Sequence, residues 1–351
     1  MTRIAVIAGD GIGPEVTAEA LGAVRQAASV TGLTVELDGM PYGAEHYLKT
    51  GETFPAAALD RLRSYDAILL GALGDPRVPD NRHAAEILFG IRFGLDLYVN
   101  HRPVRLLDER LCPLKGRTTD EVDFVIVREN TEGLYAGVGG FFKKGTPDEV
   151  AVQEDVNTRK GVERICRYAF DVAGTRRRRR LLMSDKSNAL TYGHDLWQRT
   201  FRDVARDYPD IEATHMYVDA LAMQMLKDPS QFEVIVTCNM FGDILSDLGA
   251  QLQGGLGLAA SGNLHPGRVG MFEPVHGSAP KHAGKDVANP MGAMLSAAMM
   301  LRHAGRPEDA GLLEMAVLAC VREGRTTRDL GGTLGTRAVG EEVRRHIRVA
   351  G

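Results

Sequence analysis

AGDGIGPEV, residues 8–16, follows the apolar run Ile4–Ile7 and opens a helical pattern. A strand, a glycine loop and a helix in that order are the setting of a Rossmann dinucleotide unit. Its G-x-G-x-x-G fingerprint uses the third glycine to let helix and strand pack closely. Here Gly9, Gly11 and Gly13 alternate, and Pro14 occupies the third fingerprint position. Proline suits the first turn of a helix, because its φ is fixed and a first-turn N–H has no partner in the helix. It also removes one donor that a pyrophosphate could use. Asp38, at the end of the next candidate strand, stands where an acid for the ribose would be sought. Spacing alone leaves the Rossmann reading weak, so the rest of the chain must decide.

Working outward, short apolar runs alternate with amphipathic stretches. The runs are IAVIA, DAILLG, DFVIV, LLM and FEVIVT; helical patterns cover 15–30, 56–64, 158–173, 194–207, 242–253, 291–304 and 308–323. This alternation predicts an α/β fold around a largely buried parallel sheet. Two regions break it. Residues 133–155, rich in glycine and alternating apolar residues, read as a hairpin or extended arm, and such a ribbon needs a partner. GGLGLAASGNLHPG, residues 254–267, reads as a glycine-rich crossing and a hinge between two lobes.

A chain of 351 residues predicts two domains or one large α/β unit. A net charge of −4 gives no electrostatic reason to expect nucleic acid or membrane binding. The run Arg176–Arg180 precedes a short strand and reads as a solvated helix end rather than a nucleic-acid patch. Cys112, Cys166, Cys238 and Cys320 form no C-x-x-C pair, which argues against zinc and fits a reducing compartment. With no apolar stretch of membrane length, a cytoplasmic enzyme is expected.

FGDILSDLGAQLQGG places Asp243 and Asp247 four apart in a helical pattern, on one face. Like charges so placed repel unless a cation lies between them, and oxygen ligands alone suit Mg²⁺ or Mn²⁺. Taken alone, such a pair is more commonly a solvated acidic face. Lys186 in MSDKSNAL and Asp219 in YVDAL each follow a candidate strand and could act in proton transfer beside a divalent ion. Tyr135 in RENTEGLYAG is either a proton donor or a packing tyrosine. Arg92, Arg102 and Arg128 lie in or beside apolar stretches and are candidates for holding carboxylates.

Taken in order, GDGIGPEV, NHRP, RENTEGLY, DKSN, YVDALAM, GDILSDL, EPVHGSAP and DLGGTLGT resemble the isocitrate and 3-isopropylmalate dehydrogenase family, metal-dependent β-decarboxylating enzymes. The resemblance implies a two-lobed α/β fold with a large mixed or parallel sheet and a protruding dimer arm, not a Rossmann fold. The failed fingerprint at Pro14 is then expected, and Asp38 loses its apparent role. It implies a nucleotide-binding lobe from 1–97 and 250–351, and a substrate, metal and dimerisation lobe from 98–249. By motif, Arg92, Arg102 and Arg128 would hold the carboxylates of a 2-hydroxy dicarboxylic acid. Asp219, Asp243 and Asp247 would bind the cation, and Lys186, Asp219 and Tyr135 would be catalytic. Lys186 and Asp219 would reach the site from the other subunit, giving a homodimer with two shared sites. Ile12, Glu273, His276, Gly277, Ala279, Lys281 and Asn289 would meet the dinucleotide. The implied reaction removes the C2 hydroxyl proton through Lys186 and Asp219, sends hydride to the nicotinamide and releases CO₂. Tyr135 protonates the enolate.

Departures from the family pattern bear on substrate and cofactor. Isocitrate-specific relatives carry serine and asparagine six and four residues before the arginine corresponding to Arg92; here those places hold Glu86 and Leu88. Isopropylmalate enzymes carry a glutamate seven before it and two adjacent leucines; here Ala85, Leu88 and Phe89 stand there. The pocket reads as apolar, favouring an isopropylmalate-type substrate over homoisocitrate, isocitrate, D-malate or tartrate. After GSAP, NAD enzymes place an aspartate for the ribose diol, whereas this chain has Lys281 and His282. A cation there tilts the choice between NAD and NADP toward NADP. A regulatory subunit that has lost catalysis is the alternative of another class, yet every catalytic group named is present.

Overall fold

A computed structural model describes residues 1–348; residues 349–351, the end of the expected nucleotide-binding lobe, lie outside the described residues. The chain divides into two compact units. The first comprises 1–97, 105–119 and 250–351, and the second 98–104 and 120–249. Ten strands build the large, mostly parallel sheet, five in each unit counting a strand at 99–105 with the second. The family-type α/β architecture expected from the motifs is present.

In the first unit β1 (Thr2–Ile7), β2 (Val35–Met40) and β3 (Ala67–Leu70) come early in the chain. α1 (Gly13–Thr31), α2 (Ala44–Thr50), α3 (Ala56–Leu62) and α4 (Arg82–Gly94) run among and after them. Two strands that come late in the chain, at 260–264 and 270–274, complete this half of the sheet. Its order places 35–40 at one edge, then 2–7, 67–70, 270–274 and 260–264. A Rossmann sheet runs 3-2-1-4-5-6 instead. Successive side chains of β1 serve opposite faces, as the period of two requires. Ile4 and Val6 join one apolar cluster with Val16, Ala20, Val24, Met294 and Leu301. Ala5 and Ile7 join another with Leu62, Ile87 and Ile91. Both faces of β1 are therefore dry, which is why it reads as a continuous apolar run.

The second unit holds β4 (Val99–Arg105), β5 (Asp123–Glu129), β6 (Gly139–Phe142), β7 (Val150–Gln153), β8 (Arg180–Asp185), β9 (Glu212–Tyr217) and β10 (Val234–Thr237). Its helices are α5 (Arg159–Thr175), α6 (Gly193–Ala205), α7 (Val218–Lys227) and α8 (Asn239–Leu252), the last turn of which belongs to the first unit. β5, β10, β8 and β9 pair in parallel, in that order. α5 and α6 pack together through Phe170, whose ring stacks on Phe201 at 5.3 Å and on Tyr208 at 4.7 Å. β6 and β7 form an antiparallel ribbon, exposed throughout, inside the arm expected at 133–155. The five arginines are not the end of a helix. α5 stops at Thr175, Arg176 caps it, and the run crosses to β8 with Arg176 paired to Asp123 and Arg180 to Glu212.

The remaining elements, all in the first unit, are β11 (Ala260–Leu264), β12 (Gly270–Pro274), α9 (Met291–His303), α10 (Pro307–Arg322) and α11 (Thr336–His346). β11 corrects one expectation: most of 254–267 is a short 3-10 turn and then a strand, antiparallel to β12, with Ala260, Ser261, Gly262 and Asn263 buried. A Cβ on Gly262 would stand 3.0 Å from the Phe272 ring, so this glycine serves close packing and not a hinge.

Candidate active site

The opening loop shows why its glycines fail as a dinucleotide fingerprint. Gly9 and Gly11 have φ of 76° and 58°, and a Cβ on either would fall about 2 Å from the carbonyl oxygen of Ala72 or Ser278. The backbone N–H groups of Asp10, Ile12 and Gly13 donate to carbonyls of Ala72, Ser278 and Asp10, respectively. Those donors hold the loop to its own protein and are not aimed at a pyrophosphate. Asp38 likewise faces inward to Tyr65, whose hydroxyl donates to it at 2.7 Å.

In the second unit, β4, β5, the short turn at 134–136 and α8 bring together five of the expected site residues. Arg128 is 2% exposed; its Nε donates to the Asn239 carbonyl oxygen at 2.8 Å and its Nη1 to Asp243 Oδ1 at 2.6 Å. Gly242 makes room for it, since a Cβ there would lie 2.5 Å from the Arg128 side chain. Arg102, on β4, reaches Asp243 at 3.4 Å and Asp247 at 3.8 Å, and donates to Ser246 Oγ. The Tyr135 hydroxyl donates to Asp243 Oδ2 at 3.1 Å. Burial pushes the Asp247 carboxyl up, and the Asp243 charge adds to that. These are two acidic side chains that gain from a cation. Two arginines and two aspartates sum to zero formal charge, so a divalent cation here would leave a surplus of about two positive charges, matching a malate-type dianion.

Lys186 follows β8 and Asp219 begins α7, and the lysine Nζ donates to Asp219 Oδ1 at 2.6 Å. That bond holds the Asp219 carboxyl below its usual range. Within the chain Asp219 is not gathered with Asp243 and Asp247: among the described residues no three His, Cys, Asp or Glu side chains form a cluster that could hold a metal ion.

The first unit holds the other expected residues. Arg92, on α4, is buried and pairs with Glu273 at 2.9 Å, while its Nε has no hydrogen-bond partner. Asn263 Nδ2 donates to the same Glu273 oxygen at 2.9 Å. Ala85, Leu88 and Phe89 precede Arg92 by seven, four and three residues, so they share its face of the helix; the Arg92 guanidinium lies 6.0 Å from the Phe89 ring. Glu86 is turned aside to accept from Thr53. Burial lowers the His276 imidazole, and its Nε2 has no partner. Gly277 has open space where a Cβ would stand. Ala279 takes a left-handed conformation at φ 38°, opening a short turn that exposes Lys281. Asn289 is tied within the chain: its Oδ1 accepts from Met291 N–H and its Nδ2 donates to Asp329. An orphaned imidazole nitrogen, an open glycine and an exposed cation fit a nucleotide better than a packed core.

Sequence reasoning misses one organising residue. Asp10 is buried and accepts from the backbone N–H of Ala44 at 2.6 Å and of Gly74 at 2.8 Å, and from His83 Nε2 at 2.8 Å. It ties the glycine loop to α2 and to α4, the helix of Arg92. The signal was a lone aspartate between glycines, which has no chemistry of its own.

The family model for isocitrate/isopropylmalate dehydrogenase matches residues 3–343. Proteins named 3-isopropylmalate dehydrogenase are similar over almost their whole length. The one from Frankia casuarinae is 48% identical over 96% of this chain and 100% of its own, and that from Thermobifida fusca 45% identical over 98% and 97%. Among solved structures, isocitrate dehydrogenase from Methylococcus capsulatus superposes with a TM-score of 0.90 at 39% identity, covering 99% of this chain and 100% of that one. The TT0538 protein from Thermus thermophilus gives 0.87 at 39% identity, covering 98% of this chain and 68% of its own.

Proposed function

The chain belongs to the isocitrate/isopropylmalate dehydrogenase family and is a dehydrogenase, and from that premise we propose that it oxidatively decarboxylates a 3-isopropylmalate-type substituted malate. The observation that carries the reading is the cluster of Arg102 and Arg128, on β4 and β5, with Asp243 and Asp247 on α8, whose charge a divalent cation would convert into a site for a dianion. The apolar face of α4 supports the substituent. Ala85, Leu88 and Phe89 offer a further carboxylate no charged or hydrogen-bonding side chain, whereas they suit an apolar substituent. The full-length relatives bear the name of the same substrate.

Asp243 and Asp247 of one subunit, with Asp219 of the partner subunit, would hold Mg²⁺ or Mn²⁺. When bound, the cation acts as a Lewis acid, lowering the pKa of the C2 hydroxyl and polarising the keto acid that follows. Arg92, Arg102 and Arg128 would orient the carboxylates. Lys186 and Asp219 would accept the hydroxyl proton, and the Tyr135 hydroxyl would return one to carbon after CO₂ leaves. The first unit would be the nucleotide-binding lobe, with Ile12, Glu273, His276, Gly277, Ala279, Lys281 and Asn289 around NAD or NADP, which takes the hydride. The second would be the substrate, metal and dimerisation lobe. Exposed Phe141, Phe142, Val150 and Val152 on the arm, with Met223, Leu226 and Ile244 on α7 and α8, support a homodimer.

The test is turnover by the purified chain on 2-alkylmalates, isocitrate, malate and tartrate, each with NAD and NADP. Activity should require Mg²⁺ or Mn²⁺, and kcat/KM should favour a branched alkylmalate by about tenfold or more, the discrimination an apolar pocket achieves. Asp243→Asn should remove both oxidation and decarboxylation while the protein stays folded. Turnover that persists in excess chelator, or a preference for isocitrate, would overturn the proposal.

A further inference from the structure

His194 is an unaccounted feature of the second unit. It is the second residue of α6, its side chain is wholly buried, and it faces the main chain of Lys186. The Lys186 N–H donates to His194 Nδ1 at 2.8 Å. An acceptor at Nδ1 fixes the neutral tautomer that carries its hydrogen on Nε2. That Nε2 has no hydrogen-bond partner and points toward Asp155 Oδ2 at 3.8 Å. Burial keeps the imidazole below its usual range, hence neutral and able to accept.

The surroundings are built for this contact. A Cβ on Gly193 would stand 2.7 Å from Asn157 Nδ2 and 3.2 Å from Asp155 Oδ2, so a side chain there would displace these groups at the root of the arm. Asn157 in turn donates to Asp155 at 2.9 Å and accepts from Trp197 Nε1 at 2.8 Å. The His194 ring packs edge-on against Phe241, at 5.5 Å between centroids, on the helix that carries Asp243. On the other side of the lysine, Asp185 accepts from Ser187 N–H and from His215. The backbone on both sides of Lys186 is therefore clamped, and its Nζ is left to reach Asp219.

We propose that His194 is a positioning residue, holding the Lys186 main chain at Nδ1 so that the lysine Nζ is presented to Asp219. This rests on Lys186 having the proton-transfer role given above. Its loss should act on turnover rather than on binding, because its side chain is wholly buried. His194→Leu should lower kcat about 10- to 100-fold, the effect of a small misplacement of a reacting group, with KM for hydroxy acid and dinucleotide little changed. His194→Asn, whose Oδ1 can stand where Nδ1 stands, should recover most of the loss. His194→Gln, whose amide reaches the Nε2 position instead, should not. Lys186→Ala is measured in parallel. If it keeps wild-type kcat, the lysine's role fails and this proposal with it. If it is inactive while His194→Leu turns over normally, or if Asn rescues no better than Gln, the proposal alone is overturned. Should the variants not fold, ¹⁵N spectra of the imidazoles in the wild-type protein decide: an unprotonated Nδ1 with a protonated Nε2 supports it, and a protonated Nδ1 overturns it.

Discussion

By its place after GSAP, the family resemblance puts Lys281 where NAD enzymes carry an aspartate for the ribose diol. It is exposed, and among the described residues it makes no hydrogen bond or ion pair. A lysine so placed would meet a 2′-phosphate if NADP is the cofactor, and points into solvent if NAD is. A charge-assisted contact of this kind is worth about 1.5–3 kcal/mol. Lys281→Asp should therefore shift the ratio of kcat/KM values for NADP and NAD about tenfold or more toward NAD, measured at fixed ionic strength because salt screens the contact. An unchanged ratio would remove the tilt toward NADP. Single residues of this sort are legible in a sequence because their chemistry is local. The spacing of Asp243 and Asp247 places two carboxylates on one helical face without any knowledge of the fold. What no local pattern contains is the partner of a buried group. Arg92 and Glu273 are 181 positions apart, and Asp10 and His83 are 73 apart, so only the topology brings them together.

Among elements, those with a dry face announced themselves. β1, β3, β5, β8 and β10 carry continuous apolar runs, and α5 carries its apolar residues at helical spacing. β11 did not, because glycine, serine and asparagine in its centre are chosen for close approach to Phe272 and for hydrogen bonds, and such a composition resembles a loop. β4 is also polar in sequence, VNHRPVR, yet it is packed against α5. There the Tyr168 hydroxyl meets His101 Nδ1 at 3.1 Å. Burial, with the Arg176 charge, pulls the His101 imidazole down to about 4 from an ordinary value of 6.5. The sign follows from proton binding: between those two values the unfolded chain takes up a proton that the folded chain refuses. The stability is present above about pH 6.5 and is lost as the pH falls toward 4. Urea unfolding at pH 7.5 and pH 5 should show a loss of roughly 2 kcal/mol from this histidine alone. In His101→Leu the pH-dependent loss should be smaller by that amount, whatever the variant's stability at pH 7.5. An equal loss in both proteins would place the acid sensitivity elsewhere.

For the whole molecule, one chain supplies the parts of the proposed metal site in two separate groups. Asp243 is held by Arg128, Arg102 and Tyr135, whereas Asp219 is held by Lys186. A site that needs both groups would be completed by a second copy, and the exposed apolar residues on the arm, α7 and α8 would give that copy a surface to cover. This arrangement makes a prediction that no single-chain site shares. Lys186→Ala and Asp243→Asn should each be inactive as homodimers, since every site lacks one group. In a mixed dimer the two defects fall together in one site and leave the other whole. Equal mixing with free exchange makes half the dimers mixed, each with one working site of two, so recovered activity should approach about a quarter of the wild type. Exchange is verified by separating tagged species, and a mixture of Lys186→Ala with Lys186→Ala carrying a tag serves as the inactive control. Recovery requires that lysine and aspartate come from different subunits. Silence after proven exchange would mean that both act within one chain, and the dimeric site would be wrong.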